Sequence, residues 1–428
     1  MTTKIRLICL LPVLWLCCCT AGHTQATPRK IYITQGSDRG RYLNGNAFAC
    51  APGDTLVVMP GEMPYTYFAL ENIHGAPGKE LVIINGGRQV QLINGFAFAH
   101  CSFIRLSGTG SKEPYGFRIS DPSWNGVAID INGRSGNIEI DHVDIYNKTY
   151  GFWVKQEASC ADSLQHPNWV IHDISIHDNR IVRMGQEGMY LGSTSPNGTR
   201  AINCNGRSVT PVPLRLGNIR VYNNRVDSCW RSGIQLSGAD SGVNEIYNNH
   251  VTHTGFELNP DQGNGISLGG FSHAHIYGNT ISSTFALGVM SLGSGLVVIE
   301  KNSIDSSGYL GGHKTAGMAS IMIDTRKTRP VDSTRFVIRH NRLGLNTDYG
   351  IRVYKSVDTY KKGNIISGNK GSVHAEPGVE WHAAEGQTAI ATEKSALFSG
   401  KPAGYFAVLL LLLAGGVWLL RYKKRVHE

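Results

Sequence analysis

No stretch of this 428-residue chain between residues 81 and 371 sustains an apolar period of 3.6 residues, which argues against helical repeats. There is no C-x-x-C pair and no zinc-spaced set of Cys and His. Four of the nine cysteines lie within the first 19 residues, leaving Cys50, Cys101, Cys160, Cys204 and Cys229. No cluster of Lys and Arg in the body of the chain marks a nucleic-acid surface. The formal charge of +9 overstates its basicity. The first residues carry +2 of it and the tail after Leu420 carries +3, leaving +4. That balance is compatible with an acidic polymer as partner without demanding one.

What is present is a repeat. Six β-type stretches each end on an asparagine: Asn179, Asn224, Asn249, Asn279, Asn302 and Asn341. Each is followed two residues on by Ile, Val or Leu. After four of them, at a constant offset, a glycine opens a short apolar run: Gly188, Gly233, Gly288 and Gly350. The shortest intervals, Asn224 to Asn249 and Asn279 to Asn302, suit one coil of three short strands. The longer ones suit the same coil with a loop let out. A repeat of this length means a stacked solenoid. Ile, Val, Leu, Tyr and Thr fill the strands and Gly, Asn, Ser and Asp the corners, and the 51 glycines fit a structure made largely of corners. At the corner an asparagine tolerates positive φ, and its amide can bond to its equivalent one coil above.

This pattern resembles the right-handed parallel β-helix of the pectate-lyase-like superfamily, where an asparagine ladder marks the turn between the second and third strands of each coil. The resemblance implies an all-β solenoid of three-strand coils over residues 81–371. Residues 27–80, with the strand-like runs Thr55-Leu56-Val57-Val58 and Phe68-Ala69-Leu70, are expected to form an N-terminal cap and the first coils. Cys160 and Cys204 fall in loops let out of consecutive coils and are the pair expected to form a disulfide.

The two ends point to export. Lys4 and Arg6 precede an apolar run from Leu7 to Cys19, so residues 1–26 read as a signal peptide, with lipidation at Cys17, Cys18 or Cys19 left open. Residues 403–420 are uncharged and are followed by Arg421-Tyr422-Lys423-Lys424-Arg425. This predicts a C-terminal transmembrane helix with residues 421–428 as a basic cytoplasmic tail, the solenoid outside, and residues 372–402 as a spacer.

The superfamily hosts lyases, hydrolases, epimerases, adhesins and binding proteins, so function has to come from a site. The resemblance implies a substrate cleft along the outer face of the first strands. Side chains alternate along a strand, so even offsets from the opening glycine point outward. This sets Ala128, Trp153, Tyr190, Gln235 and Ser267 in one outer row, with Asp130 beside Lys155 in the next. Aromatic rings near charged and amide groups suit a sugar chain. Loops before these strands add Arg183, Glu187, Arg231, His253, Glu257 and Asp261.

The expectation is a polysaccharide partner, contacted by Asp130, Trp153, Tyr190, Gln235 and Glu257. A uronic-acid polymer cleaved by β-elimination is preferred, with Lys155 as base and Arg183 or Arg231 offsetting the substrate carboxylate. Calcium held by Asp130, Glu187 or Glu257 is the alternative to that second cation. A hydrolase would instead pair Glu187 with Glu257 or Asp261. A non-catalytic carbohydrate-binding or adhesion module would use the same face without turnover. The signature strings of pectate lyases, polygalacturonases and Asp-Pro-His-Asp epimerases are lacking; Ser120-Asp121-Pro122-Ser123 departs from the last at its third residue.

Overall fold

In the computed structural model, residues 27–198, 200–325, 334–354, 358–362, 364–366 and 381–383 are described. The chain divides into two units, and all described residues belong to the one made of residues 1–370 and 374–388. That unit is a parallel β-helix. Each coil visits three sheets in turn. The first runs from Gly40–Asn44 to Ile351–Tyr354, the second from Lys30–Ile33 to Thr359–Lys362, and the third from Val90–Leu92 to Trp381–Ala383. Every pairing along these three stacks is parallel, for example Ile234↔Ile266 in the first and Val226↔Val251 in the third. Alternation along each strand fills the interior: Phe152 and Val154 are fully buried on either side of outward Trp153.

Asparagines hold the corner between the second and third sheets. The side-chain amide of Asn179 donates to Asn224 Oδ1 at 3.1 Å, and the relay continues through Asn249, Asn279, Asn302 and Asn341 at 2.9–3.0 Å. Each amide also donates back to a carbonyl of the preceding coil, as Asn249 does to Val221 at 2.9 Å. A seventh rung, Asn364, accepts from Asn341 at 3.0 Å. The sequence repeat missed it because Lys361 and Lys362 break the apolar character of the run before it. The positive φ expected at the ladder asparagine belongs to the residue before it: 54° at Asp178, 54° at Asn223, 53° at Asn248 and 55° at His340. The preceding residue makes the bend, which turns the ladder amide inward to its partners.

On the outer face of the second sheet the rings of His177, Tyr222, Tyr247 and Tyr277 form a column, with successive centroids 4.5, 4.8 and 4.8 Å apart.

Residues 27–80 show no capping element distinct from the coils. Lys30–Ile33 pairs with Thr55–Val58 and Gly40–Asn44 with Tyr67–Glu71, so the segment already belongs to the first and second sheets. Its apolar residues (Leu56, Phe68, Leu70) serve the solenoid core directly. Within the segment read as spacer, Trp381–Ala383 pairs with Asn364–Ile366 as a further rung of the third sheet. The signal peptide at 1–26, the span at 403–420 and the tail at 421–428 lie outside the described residues. Among those described, no helix is long and apolar enough to cross a membrane.

Two long loops leave the corner after the first sheet, residues 155–169 and 192–214. The second carries a hairpin, Ile202–Cys204 against Arg207–Val209. The expected disulfide between Cys160 and Cys204 is formed and ties one loop to the other.

Asn249→Ala should test the ladder. It removes the amide that donates to the buried Val221 carbonyl and the oxygen that accepts from the Asn224 backbone N–H. At roughly 1–3 kcal/mol per orphaned group, urea unfolding should show a loss of at least ~2 kcal/mol. The same change at exposed Asn125 should alter stability by under ~0.5 kcal/mol. Equal effects at both positions would deny the ladder its structural role.

Candidate functional site

The register of the first sheet decides which outward side chains are neighbours. Asp130 lies level with Trp153, Trp153 with Tyr190, Tyr190 with Gln235 and Gln235 with Ser267. The expected row is correct from Trp153 onward and shifted by two before it. Val127 pairs with Tyr150, so Gly126 stands one residue ahead of Tyr150 and is not the equivalent of Gly151. Ala128 is consequently buried in the core, and Asp130 faces Trp153 instead of Lys155.

Trp153 and Tyr190 are stacked, with centroids 4.7 Å apart and planes inclined by 17°, and Tyr150 meets Trp153 edge-on at 4.6 Å. The rings therefore face one another along the solenoid axis. They present edges, not flat faces, to the surface. The Lys155 ammonium lies 4.5 Å from the Trp153 centroid and 4.9 Å from that of Tyr190. It pairs with Glu157 at 3.1 Å, so the expected neighbourhood with Asp130 is replaced by a bond within its own loop.

The turns before the first-sheet strands form the opposite wall. Glu187 is 3% exposed, and its Oε2 is buried without a hydrogen-bond partner. Arg231 approaches Glu187 at 3.9 Å and binds Glu257 through two nitrogens at 2.7 and 3.2 Å. Burial outweighs the attraction of Arg231 and Lys155 and pushes the Glu187 carboxyl up to about 7. Burial likewise raises Asp130 to about 6, against a hydrogen bond from Asn132 and with help from the charge of Glu157. Asp130 Oδ1 and Gln235 Nε2 are buried without partners. The site thus holds two carboxyl groups that change charge near neutrality, one on the floor and one on the wall.

Lys155, Glu187, Arg231, Glu257, Trp153, Tyr190, Gln235 and Asp130 gather on this face. Arg183 does not join them. It stands on the third sheet at φ 61°, with its guanidinium 5.0 Å from the Trp124 ring and 5.2 Å from that of Tyr146. Sequence order put it near Glu187, but the strand Arg180–Met184 directs it around the corner. His253 also lies on the third sheet, 3.1 Å from Asp227.

Asp130, Glu187 and Glu257 do not converge as metal ligands. Among the described residues the one such grouping is Glu139, Asp141 and His177 on the second sheet. There Arg105 already bonds both acids at 3.1 Å. Tyr150 and Glu157 were missed by the sequence reading. Their signal was simple adjacency, since Tyr150 precedes the strand-opening Gly151 and Glu157 stands two residues beyond Lys155.

Residues 200–383 match the family model of the right handed beta helix region. No curated protein matches the sequence. Among solved structures, a lacto-N-biosidase from Eubacterium ramulus is similar at TM-score 0.52 and 14% identity, over 83% of this chain and 67% of that one. An alginate lyase from Paenibacillus sp. is similar at TM-score 0.42 and 12% identity, over 78% and 99%. At 14% identity the likeness to the first is one of fold. The chain is a right-handed parallel β-helix.

The raised Glu187 has a thermodynamic consequence. Between its ordinary value of 4.5 and about 7 the folded state keeps a proton that the unfolded chain has released. Stability therefore falls as pH rises through that window. Glu187→Gln should abolish this loss, on the order of 2–3 kcal/mol, in urea unfolding compared at pH 5 and pH 8. An unchanged pH slope in the variant would place the buried proton elsewhere.

Proposed function

We propose that this protein grips a polysaccharide across the outer face of its first sheet and cleaves it by proton transfer through carboxyl groups. The observation that carries this reading is Glu187, a carboxyl group buried beside an aromatic stack, with one oxygen unpartnered and a proton retained to about pH 7. A carboxylic acid still protonated near neutrality can donate to a departing glycosidic oxygen, and a second carboxylate can take a proton from the attacking water. Asp130, ionised above about 6, is the candidate for that second role. The Eubacterium ramulus neighbour is named as a lacto-N-biosidase, which supports glycan cleavage on such a scaffold.

The β-elimination expected from the sequence uses an unengaged Lys or Arg as base. Lys155 is engaged by Glu157, and Arg231 by Glu187 and Glu257, which favours hydrolysis. These same pairings also favour a second reading, a module that binds glycan without turning it over. Residues 1–26 and 403–428 support an exported protein held by a C-terminal span, with its solenoid outside the cytoplasm.

Full-length protein should be incubated with a panel of neutral and acidic polysaccharides while new reducing ends and the absorbance of unsaturated ends are followed. Reducing ends should accumulate without unsaturated absorbance. Glu187→Gln should lower turnover by about 10²-fold or more while leaving affinity within about threefold. Unsaturated ends would return the chemistry to Lys155, and binding without any products would make this a binding module. In fractionated cells the chain should sediment with membranes, and removal of residues 403–420 should release it.

A further inference from the structure

Beside the aromatic stack the two disulfide-tied loops enclose a cleft of about 450 Å³. That is room for a sugar ring with its substituents. Lys155 and Arg200 stand on its walls, and Ser193, Thr194 and Ser195 supply hydroxyl groups. The cleft adjoins the groove directly, because Thr194 Oγ1 and the Tyr190 hydroxyl are hydrogen-bonded at 2.9 Å. A chain lying along the first sheet would pass its mouth.

The charges in this cleft are unevenly satisfied. Lys155 is mostly buried, with 12% of its side chain exposed, and its partner Glu157 is a 67% exposed carboxylate from the same loop. Arg200 makes no hydrogen bond or ion pair among the described residues, although most arginines of the solenoid are paired, as Arg105, Arg118, Arg180 and Arg231 are. The cleft therefore holds two cations and one carboxylate, paired with Lys155 alone, and that carboxylate sits in water. Because Glu157 keeps most of its surface in water, an incoming anion that replaces it on Lys155 leaves the displaced carboxylate hydrated while Lys155 keeps an anionic partner. The incoming group would meet Arg200 on the other wall, in the fork geometry that suits carboxylate and sulfate alike. Hydroxyl groups beside a charged seat are what a sugar bearing that anion needs for its remaining oxygens.

We propose that the cleft between Lys155 and Arg200 seats an anionic substituent, a carboxylate or a sulfate, on one unit of the glycan, with Glu157 as the internal anion that yields to it. This rests on the glycan-groove reading and adds the substrate class. It makes Arg200 a specificity-determining residue remote from the carboxyl groups that handle protons. The plain rival is an arginine solvated at the surface, for which Arg207 on the neighbouring hairpin is the control, being exposed and outside the cleft.

The test is affinity of the full-length protein for matched pairs of polymers that differ only in charge. Polygalacturonate is compared with its carboxyl-reduced form, and dextran sulfate with dextran. In at least one pair the charged member should bind about tenfold more tightly at low salt, and which pair responds tells carboxylate from sulfate. Arg200→Ala should erase that preference, Glu157→Gln should strengthen it severalfold, and Arg207→Ala should leave it unchanged. Equal binding of charged and neutral partners in both pairs overturns the proposal, as does an equal loss in the Arg200 and Arg207 variants. The two readings fail separately. Charge-selective binding without any cleavage removes the hydrolase and keeps the seat. Binding lost in Trp153→Ala but indifferent to Arg200 keeps the groove and removes the seat.

Discussion

A column of buried amides governs this molecule. Each ladder asparagine is almost wholly inaccessible to water, so its donors and acceptor must find partners inside the protein. The equivalent amide one coil away supplies them only if the coils stack at strand spacing and in register. An insertion at that corner would break two rungs at once. At every rung of the ladder the corner between the second and third sheets is accordingly short: Tyr222 ends one strand and Arg225 opens the next, with Asn224 between. Extra length has to leave elsewhere. It leaves at the corners on either side of the first sheet, as the loops at 155–169 and 192–214 on one side and the segment from Gly255 to Asn264 on the other. Along the ladder one corner is therefore closed to variation, and the loops gather on either side of the first sheet.

The amide spacing made the fold legible in the amino-acid sequence, because a buried polar residue at a repeating position has few alternative explanations. The pairing of Cys160 with Cys204 followed from the same frame, as did the adjacency of Trp153 and Tyr190. Errors arose where a side chain's direction depends on a local irregularity. Gly126 opens a run like the other glycines yet stands two residues out of phase, which moved Asp130 next to Trp153. Arg183 occupies a left-handed kink in its strand, and a kink of that kind leaves no mark in composition. Ring orientation was equally hidden. Spacing says that two aromatics are neighbours, whereas their stacking at 17° follows from packing against Tyr150 and Lys155.

The chemistry of the site grows from incomplete compensation. Glu187 has a cation nearby, yet Arg231 spends its best geometry on Glu257 and stays 3.9 Å away. Desolvation then prevails and the carboxyl group keeps its proton. Asp130 is raised by the same cause without any cation beside it. Where cations are directed fully at a carboxylate, as Arg118 and Arg180 are at Asp144, the structure gains a clamp and no reactive group. The contrast between these two arrangements of Arg and acid separates the candidate face on the first sheet from the supporting one on the third.

The phenol rings of Tyr222, Tyr247 and Tyr277 lie 4.8 Å apart and within 3° of parallel. Chromophores held so close and so well aligned couple their electronic transitions. The second sheet thereby carries a built-in optical ruler: near-ultraviolet circular dichroism from these tyrosines depends on the separation of adjacent coils, and loosening of the stack dims it while each coil's own conformation persists.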